Sequence, residues 1–238
     1  MVSWQDKIVD KLVSLESAIS NIESGDVVHV APYSTTPVML CNELKRRAIK
    51  ADLKDIRVDH PAAAISWVEA ELQGRIRLKD NYATPPNRSA CHEGGMDYLP
   101  VGIWKSWEIP LGFHPDPDFF LVPVSTPDKN GFCSFGSGLW LSPTVARHAK
   151  CVVAEVHPEF IRTGGENYIH VDEIDFFVEA LPQPPGGLPS PPSEEDIDVV
   201  ARICNLVGAE LIKDGDTLQM GVGTVSASLA NFLDFRND

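Results

Sequence analysis

The chain has 238 residues and a formal net charge of −14, with 43% apolar and 23% charged residues, which is ordinary for a soluble globular protein. The acidic balance, with no basic cluster beyond Lys45-Arg46-Arg47, argues against nucleic acid as the main partner. No apolar run reaches the length of a membrane span, and residues 1–13 are amphipathic and charged rather than a signal peptide. We therefore expect a cytoplasmic protein with neither a nucleic acid nor a membrane as partner.

The cysteines and histidines do not form a metal-binding pattern. The five cysteines are widely spaced and include no C-x-x-C pair, which fits reduced thiols better than a disulfide framework or a zinc site. Residues 92–96, HEGGM, begin like a zinc-binding helix, but the second histidine is missing and the paired glycines oppose a helix. The sequence predicts no metal site.

The first part of the chain combines helices with a buried strand. Two short helices are expected over residues 3–12 and 15–22, the second capped by Ser14. A Gly-Asp turn then leads into a strand at Val27–Val30, a loop, and a helix opened by Pro37. A strand, loop and helix in this order can present the loop to a ligand, although a simple turn is the alternative.

A parallel sheet is predicted further along the chain. Residues 56–112 carry weak signals and are expected to be rich in loops. Strands are predicted at residues 119–122 and 151–156, with a helix over residues 142–150 between them. A strand, a crossover helix and a second apolar strand form a βαβ unit, which implies a parallel sheet covered on both faces. The predicted class is therefore α/β.

Residues 181–192, LPQPPGGLPSPP, divide the chain into two predicted domains. Six prolines and two glycines in twelve residues cannot join a helix or a sheet, so we interpret the segment as a connector; a polyproline ligand is the alternative. We expect a first domain over residues 1–180 and the beginning of a second over residues 193–238. The second opens with an amphipathic helix whose apolar face is formed by Ile197, Val200, Ile203, Cys204, Val207 and Leu211.

The segment after that helix is predicted to form a second strand, turn and helix. A strand is expected at residues 217–220, followed by a glycine turn and a helix with Val225, Leu229 and Leu233 on one face. Glycines in the turn let a ligand approach the backbone, and N–H groups at a helix start suit an anion. Close packing of helix and strand is the alternative. A dinucleotide-binding site is disfavoured because Ser226 stands where its third glycine would be. A further strand is expected to follow such a unit, so the domain should continue beyond Asp238.

Five segments together resemble the acetyl-CoA hydrolase/transferase family, which includes 4-hydroxybutyrate and acetate CoA-transferases. The resemblance spans nearly the whole chain and rests on Ser24-Gly25-Asp26 with Thr36-Pro37, on residues 92–100 (HEGGMDYLP), on residues 124–134 (VSTPDKNGFCS), on residues 169–175 (IHVDEID) and on residues 215–223 (GDTLQMGVG). It implies two CoA-transferase-type α/β domains, the second similar to the first, with an active site in the cleft between them.

The resemblance also implies a reaction. CoA moves from an acyl-CoA to a small carboxylate through a glutamyl-CoA thioester, with CoA as substrate and no permanently bound cofactor. The glycine turn would supply donors to the thioester oxygen through Gly221, Gly223, Thr224 and Val225. Tyr33, Ser34, Thr35 and Glu93 are the candidates for substrate contact. No residue of this chain matches the nucleophilic glutamate, which is expected beyond Asp238.

The site residues and the activity each have alternatives. Ser34 and Thr35 could only cap the following helix, and Asp128 and Lys129 could only form a turn. His170 and Asp172 could only hold a local hydrogen-bond network. An acyl-CoA hydrolase uses the same glutamate, and a non-catalytic CoA-binding module needs none. As a split subunit or a truncated product, the chain would be active only with a second chain or with the missing C-terminal part.

Overall fold

The computed structural model describes residues 3–102, 116–138, 140, 142–181, 196–221 and 223–233. The chain divides into two compact units, Met1–Gly186 and Gly187–Asp238. The boundary falls within the proline-rich segment, most of which lies outside the described residues. None of the described helices combines the length and the apolar character that a membrane span requires.

Unit 1 contains one parallel sheet and a small hairpin. Its strands are β1 (Val27–Val30), β2 (Ile56–Asp59), β3 (Ile76–Asp80), β4 (Asp97–Tyr98), β5 (Phe119–Ser125), β6 (Phe132–Ser134), β7 (Cys151–His157), β8 (Tyr168–His170) and β9 (Phe176–Glu179). Its helices are α1 (Leu15–Ile19), α2 (Val38–Lys50), α3 (Arg88–Glu93) and α4 (Ser142–His148). Among the described residues, seven strands pair in the order β4-β3-β2-β1-β5-β7-β9, all of them parallel, and β6 pairs with β8 antiparallel. The predicted α/β class and the βαβ unit are confirmed.

The central strands β1, β5 and β7 are buried on both faces of the sheet, as their apolar sequences predict. Side chains alternate along β5, so Phe119 and Leu121 join one apolar core while Phe120 and Val122 join the other. The first core contains the inner face of α2, and the second contains Val145 of α4. Burial on both faces explains why these strands read as uninterrupted apolar runs.

Two parts of unit 1 differ from the sequence-based prediction. Residues 3–12 contain a short 3-10 turn at Gln5–Lys7 rather than a helix. Residues 56–112 contain β2, β3, β4 and α3 where a loop-rich segment was expected. These strands have only two to five residues, so their hydrogen bonds to neighbouring strands stabilise them more than any local pattern does.

The smaller features of unit 1 follow the sequence more closely. The Ser14 hydroxyl accepts the backbone N–H of Ser17 and caps α1, as predicted. Asp128 accepts the N–H groups of Asn130 and Phe132, which closes the turn before β6. His170 caps a single turn through the N–H of Asp172. Asp128 and His170 thus shape the turns around the hairpin.

Unit 2 contains α5 (Ile197–Glu210) and α6 (Thr224–Leu229), which pack on each other. Val200 and Cys204 are buried as predicted, whereas Ile197, Ile203 and Leu211 of the same predicted face are exposed. The strand predicted at residues 217–220 is wrong for this structure: the segment is unpaired, and Leu218 is 43% exposed. A strand needs a neighbour for its N–H and C=O groups, and the described part of unit 2 offers no second strand.

Candidate functional site

The strand order of unit 1 reverses direction between β1 and β5. From β1 the chain builds outward through β2, β3 and β4, then returns to add β5, β7 and β9 on the other side. β1 and β5 therefore flank the topological switch point, where open α/β sheets bind ligands at the carboxyl ends of the strands. The loop after β1 contains the predicted residues Tyr33, Ser34 and Thr35, which we call the substrate loop.

The substrate loop holds a backbone conformation that side chains rarely adopt. Tyr33 has φ +49°, in the left-handed region that is unfavourable for a residue with a Cβ atom. Ser34 is exposed, whereas Thr35 is buried and its hydroxyl donates to the carbonyl of Pro32 at 2.7 Å. Neither Ser34 nor Thr35 caps α2, because Pro37 holds the cap position without a side-chain hydrogen bond. The cap alternative for these two residues is wrong.

A small cavity of about 50 Å³ lies between the substrate loop and the chain after β6. Tyr33, Ser34 and Thr35 form one wall, and Ser137, Gly138 and Trp140 form the other. The two walls touch at Gly138, where an added Cβ atom would lie 2.6 Å from the Thr35 hydroxyl oxygen. Only glycine allows this approach. The cavity has room for a group of a few heavy atoms.

The first turn of α2 already binds a carboxylate of the protein. Glu155 of β7 is fully buried, and one of its oxygens accepts the backbone N–H of Leu40 at 3.1 Å. Its other oxygen lies 3.0 Å from Nε2 of His157. The N–H of Leu40 in the first turn of α2 is therefore already used by a carboxylate of the protein.

His60, which follows β2, lies beneath the substrate loop. Its Nδ1 atom is 2.9 Å from the indole Nε1 of Trp67, and its Nε2 atom is 2.9 Å from the hydroxyl of Thr36. Burial and the neighbouring His29 together lower the pKa of His60 to about 3, against the opposing effect of Asp59. The imidazole is therefore neutral at physiological pH.

Further charged side chains line the ends of β2 and β3. Asp59 lies 2.9 Å from the ammonium of Lys79 and 3.8 Å from the Nδ1 of His29. Asp80 accepts the N–H groups of Ala62 and Ala63 at 2.8 and 3.1 Å, which fixes the chain after β2. Burial raises the pKa of Asp80 to about 6, although these backbone donors act in the opposite direction.

Glu93 lies at the opposite edge of the sheet from the substrate loop. It ends α3, just before β4, and lines a groove of about 420 Å³ with Asp55 and Gly74, which precede β2 and β3. All the strands are parallel, so their amino ends share one edge and their carboxyl ends the other. The structure therefore does not bring Glu93 together with Tyr33, Ser34 and Thr35 in one site.

The predicted oxyanion residues lie in unit 2, in the turn that opens α6. Gly223 is the N-cap of α6, and Thr224 and Val225 form its first turn. Gly221 lines a cavity of about 130 Å³ with Val225, Cys204 and Met220. Among the described residues, an added Cβ at Gly223 would meet no atom within 4 Å, and one at Gly221 would meet only the Ser226 hydroxyl, at 3.8 Å. Packing within unit 2 therefore does not explain the two glycines.

Sequence reasoning missed three residues that shape the substrate loop and the helix after it. His60, Trp67 and Glu155 are buried, and each contacts a residue more than six positions away along the chain. The available signals were a glutamate within an apolar strand and a histidine directly after a strand. In the part of the chain that the structure describes, no three His, Cys, Asp or Glu side chains come together as a metal site.

Comparison with known proteins identifies the family. The acetyl-CoA hydrolase/transferase N-terminal domain matches residues 3–183. The chain is 32% identical over 241 residues to 4-hydroxybutyrate coenzyme A transferase of Clostridium kluyveri, and the match covers 98% of this chain and 53% of that protein. The chain thus spans about half the length of the curated relatives it matches.

Solved structures agree with this family. The crystal structure of RipA from Yersinia pestis superposes with a TM-score of 0.76 at 28% identity, over 100% of this chain and 56% of that one. A 4-hydroxybutyrate CoA-transferase from Porphyromonas gingivalis gives a TM-score of 0.67 at 25% identity, over 99% of this chain and 54% of that one. The fold is therefore CoA-transferase-like, and the chain belongs to the acetyl-CoA hydrolase/transferase family through its N-terminal domain.

Proposed function

We propose that this chain forms the N-terminal part of an acyl-CoA:carboxylate CoA-transferase, which moves CoA between an acyl-CoA and a small carboxylic acid. The observation that carries the proposal is the position of the substrate loop. Tyr33, Ser34 and Thr35 lie at the topological switch point, and Gly138 closes a small cavity against them. The named CoA-transferases among the relatives support the same reaction class.

The proposed reaction passes through two covalent intermediates. A glutamate carboxylate attacks the thioester carbonyl and displaces the CoA thiolate, which gives a mixed anhydride. The thiolate then attacks the glutamyl carbonyl and releases the carboxylic acid, which leaves a glutamyl-CoA thioester. The acceptor carboxylate reverses both steps. We place the glutamate in the part of the relatives' length that this chain does not span, on a second chain or a further segment.

Gly221, Gly223, Thr224 and Val225 are the proposed oxyanion residues. Open space at the Cβ positions of both glycines supports this role, because it leaves room for a ligand to approach the backbone. Such a donor typically contributes ~10²–10³ in rate to a reaction with a developing oxyanion. Residues 1–180 and 193–238 would then belong to two CoA-transferase-type domains joined by residues 181–192.

The test combines native mass spectrometry with a transfer assay. Protein purified from its own source is analysed for a second stoichiometric chain, and the chain alone is compared with the assembled protein in acyl-CoA plus acetate. We expect transfer only from the assembled protein. Robust transfer by the isolated chain would contradict the proposal.

The same assay separates the two alternatives. A hydrolase would release free CoA at the same rate with and without an acceptor acid. A non-catalytic module would bind CoA saturably as an isolated chain, and its assembled form would show no turnover. Either result would replace the transferase proposal.

A further inference from the structure

A chain of hydrogen bonds connects the core of unit 1 to the substrate loop. It runs from the indole N–H of Trp67 to His60, from His60 to the hydroxyl of Thr36, and from that hydroxyl to the carbonyl of Tyr33 at 2.7 Å. Trp67 and His60 are 1% and 0% exposed, so water does not compete for the inner bonds. The outermost acceptor is the residue with the left-handed backbone.

The direction of this chain fixes the tautomer of the imidazole. An indole N–H can only donate, so Nδ1 of His60 accepts from Trp67 and carries no proton. The proton of the neutral ring is therefore on Nε2, which donates to the Thr36 hydroxyl oxygen. That hydroxyl is left with one proton, which it donates to the Tyr33 carbonyl. Every donor in the chain thus has an acceptor, and the backbone carbonyl of Ala31 is a further acceptor for the ring of His60.

The last bond acts on the geometry of the substrate loop. The Tyr33 carbonyl accepts both the hydroxyl and the backbone N–H of Thr36, at 2.7 and 3.1 Å. These two bonds hold the peptide plane between Tyr33 and Ser34. A residue with a Cβ atom leaves the left-handed region readily unless its surroundings oppose the change. The plane of this peptide decides where Ser34 and Thr35 stand in the cavity wall.

We propose that His60 is the positioning residue of the substrate loop, held in its Nε2–H tautomer by Trp67 and acting through Thr36. The inference rests on the proposed function only in the name given to the loop, because the tautomer and the loop geometry can be measured without any CoA chemistry. His60 itself is buried and does not touch a substrate in this arrangement.

The first measurement is the protonation state of His60 in the folded protein. Long-range proton–nitrogen NMR spectra of the ¹⁵N-labelled chain distinguish a protonated from an unprotonated ring nitrogen. We expect His60 to show a bare Nδ1 and a protonated Nε2, with no titration between about pH 5 and pH 8. An Nδ1–H tautomer or a charged ring would overturn the proposal.

The second measurement uses substitutions that interrupt the chain at different points. Trp67→Phe removes the inner donor and Thr36→Val removes the hydroxyl, and each should speed exchange of the Thr35 and Thr36 amide hydrogens about tenfold. His60→Leu should do the same, whereas His60→Gln, whose amide offers a carbonyl acceptor and N–H donors, should keep most of the protection.

The controls separate positioning from general loss of structure. His92→Gln alters an exposed histidine of α3 and should leave exchange in the substrate loop unchanged. If His60→Leu fails to fold, Thr36→Val decides, because Thr36 lies outside the core and the substitution removes only the two hydrogen bonds of its hydroxyl. Unchanged exchange of the Thr36 amide in Thr36→Val would overturn the proposal, as would equal protection in His60→Gln and His60→Leu.

The results also stay distinct from those for the proposed function. Correct tautomer and exchange data together with an absence of CoA transfer by the assembled protein would remove the transferase proposal and leave the positioning role intact. CoA transfer by the assembled protein, together with unchanged amide exchange in these variants, would remove the positioning role and leave the transferase proposal intact.

Discussion

His60 should give the chain a pH-dependent stability that one substitution removes. In the unfolded chain the imidazole binds a proton as the pH falls through its ordinary pKa of 6.5. In the folded chain burial lowers that pKa to about 3. The stability associated with the neutral ring is therefore complete above pH 6.5 and is lost progressively as the pH falls towards 3.

The size of the effect follows from the two pKa values. At about pH 5 the unfolded ring is mostly protonated and the folded ring is not, so the free energy of unfolding falls by about 2 kcal/mol relative to pH 7. Asp80 acts in the opposite direction. Burial raises its pKa to about 6, so the folded chain binds this proton more readily than the unfolded chain, and the free energy of unfolding rises as the pH falls from about 7 to about 5. The contribution of His60 must therefore be isolated by a variant.

The assay is urea unfolding at about pH 7 and pH 5, followed by far-UV circular dichroism, for the wild-type chain and for His60→Gln. Asp80 is unchanged in both proteins, so its effect cancels in the difference. The wild-type chain should lose about 2 kcal/mol more than His60→Gln between the two pH values. An equal pH dependence of the two proteins would refute a buried neutral imidazole.

Three further predictions concern packing, a half-buried ammonium and thiol reactivity in unit 1. Gly138→Ala should lower the free energy of unfolding by about 1–3 kcal/mol, because the new methyl group overlaps the buried side chain of Thr35. The control is Gly164→Ala, which adds a methyl group in open space and should change the free energy of unfolding little. Lys11→Met should cost about 1–3 kcal/mol in the same urea titration, because the ammonium donates to three backbone carbonyls at 2.7 to 3.2 Å; a loss within error would contradict this. Iodoacetamide should alkylate the half-buried Cys91 before Cys133, since burial raises the pKa of the Cys133 thiol to about 12. Peptide mass spectrometry measures the order of alkylation, and earlier alkylation of Cys133 would contradict the prediction.

The sequence predicted those elements of the fold whose residues carry the signal locally. β1, β5 and β7 are largely apolar, and α2 and α5 are amphipathic over several turns, so their patterns identified them. β2 and β3 were missed because they are short and alternate with charged residues. The strand expected at residues 217–220 has the right composition but has no neighbouring strand in the described part of unit 2.

The candidate site divides in the same way. The sequence by itself determined the α/β class, the family resemblance and the substrate loop, because motif residues are adjacent in the chain. Only the tertiary structure decided that His60 and Trp67 hold this loop, that Glu155 fills the first turn of α2, and that Glu93 lies at the other edge of the sheet. The physical reason is the parallel sheet, since its strand order, which no local pattern encodes, determines which loops meet at each edge.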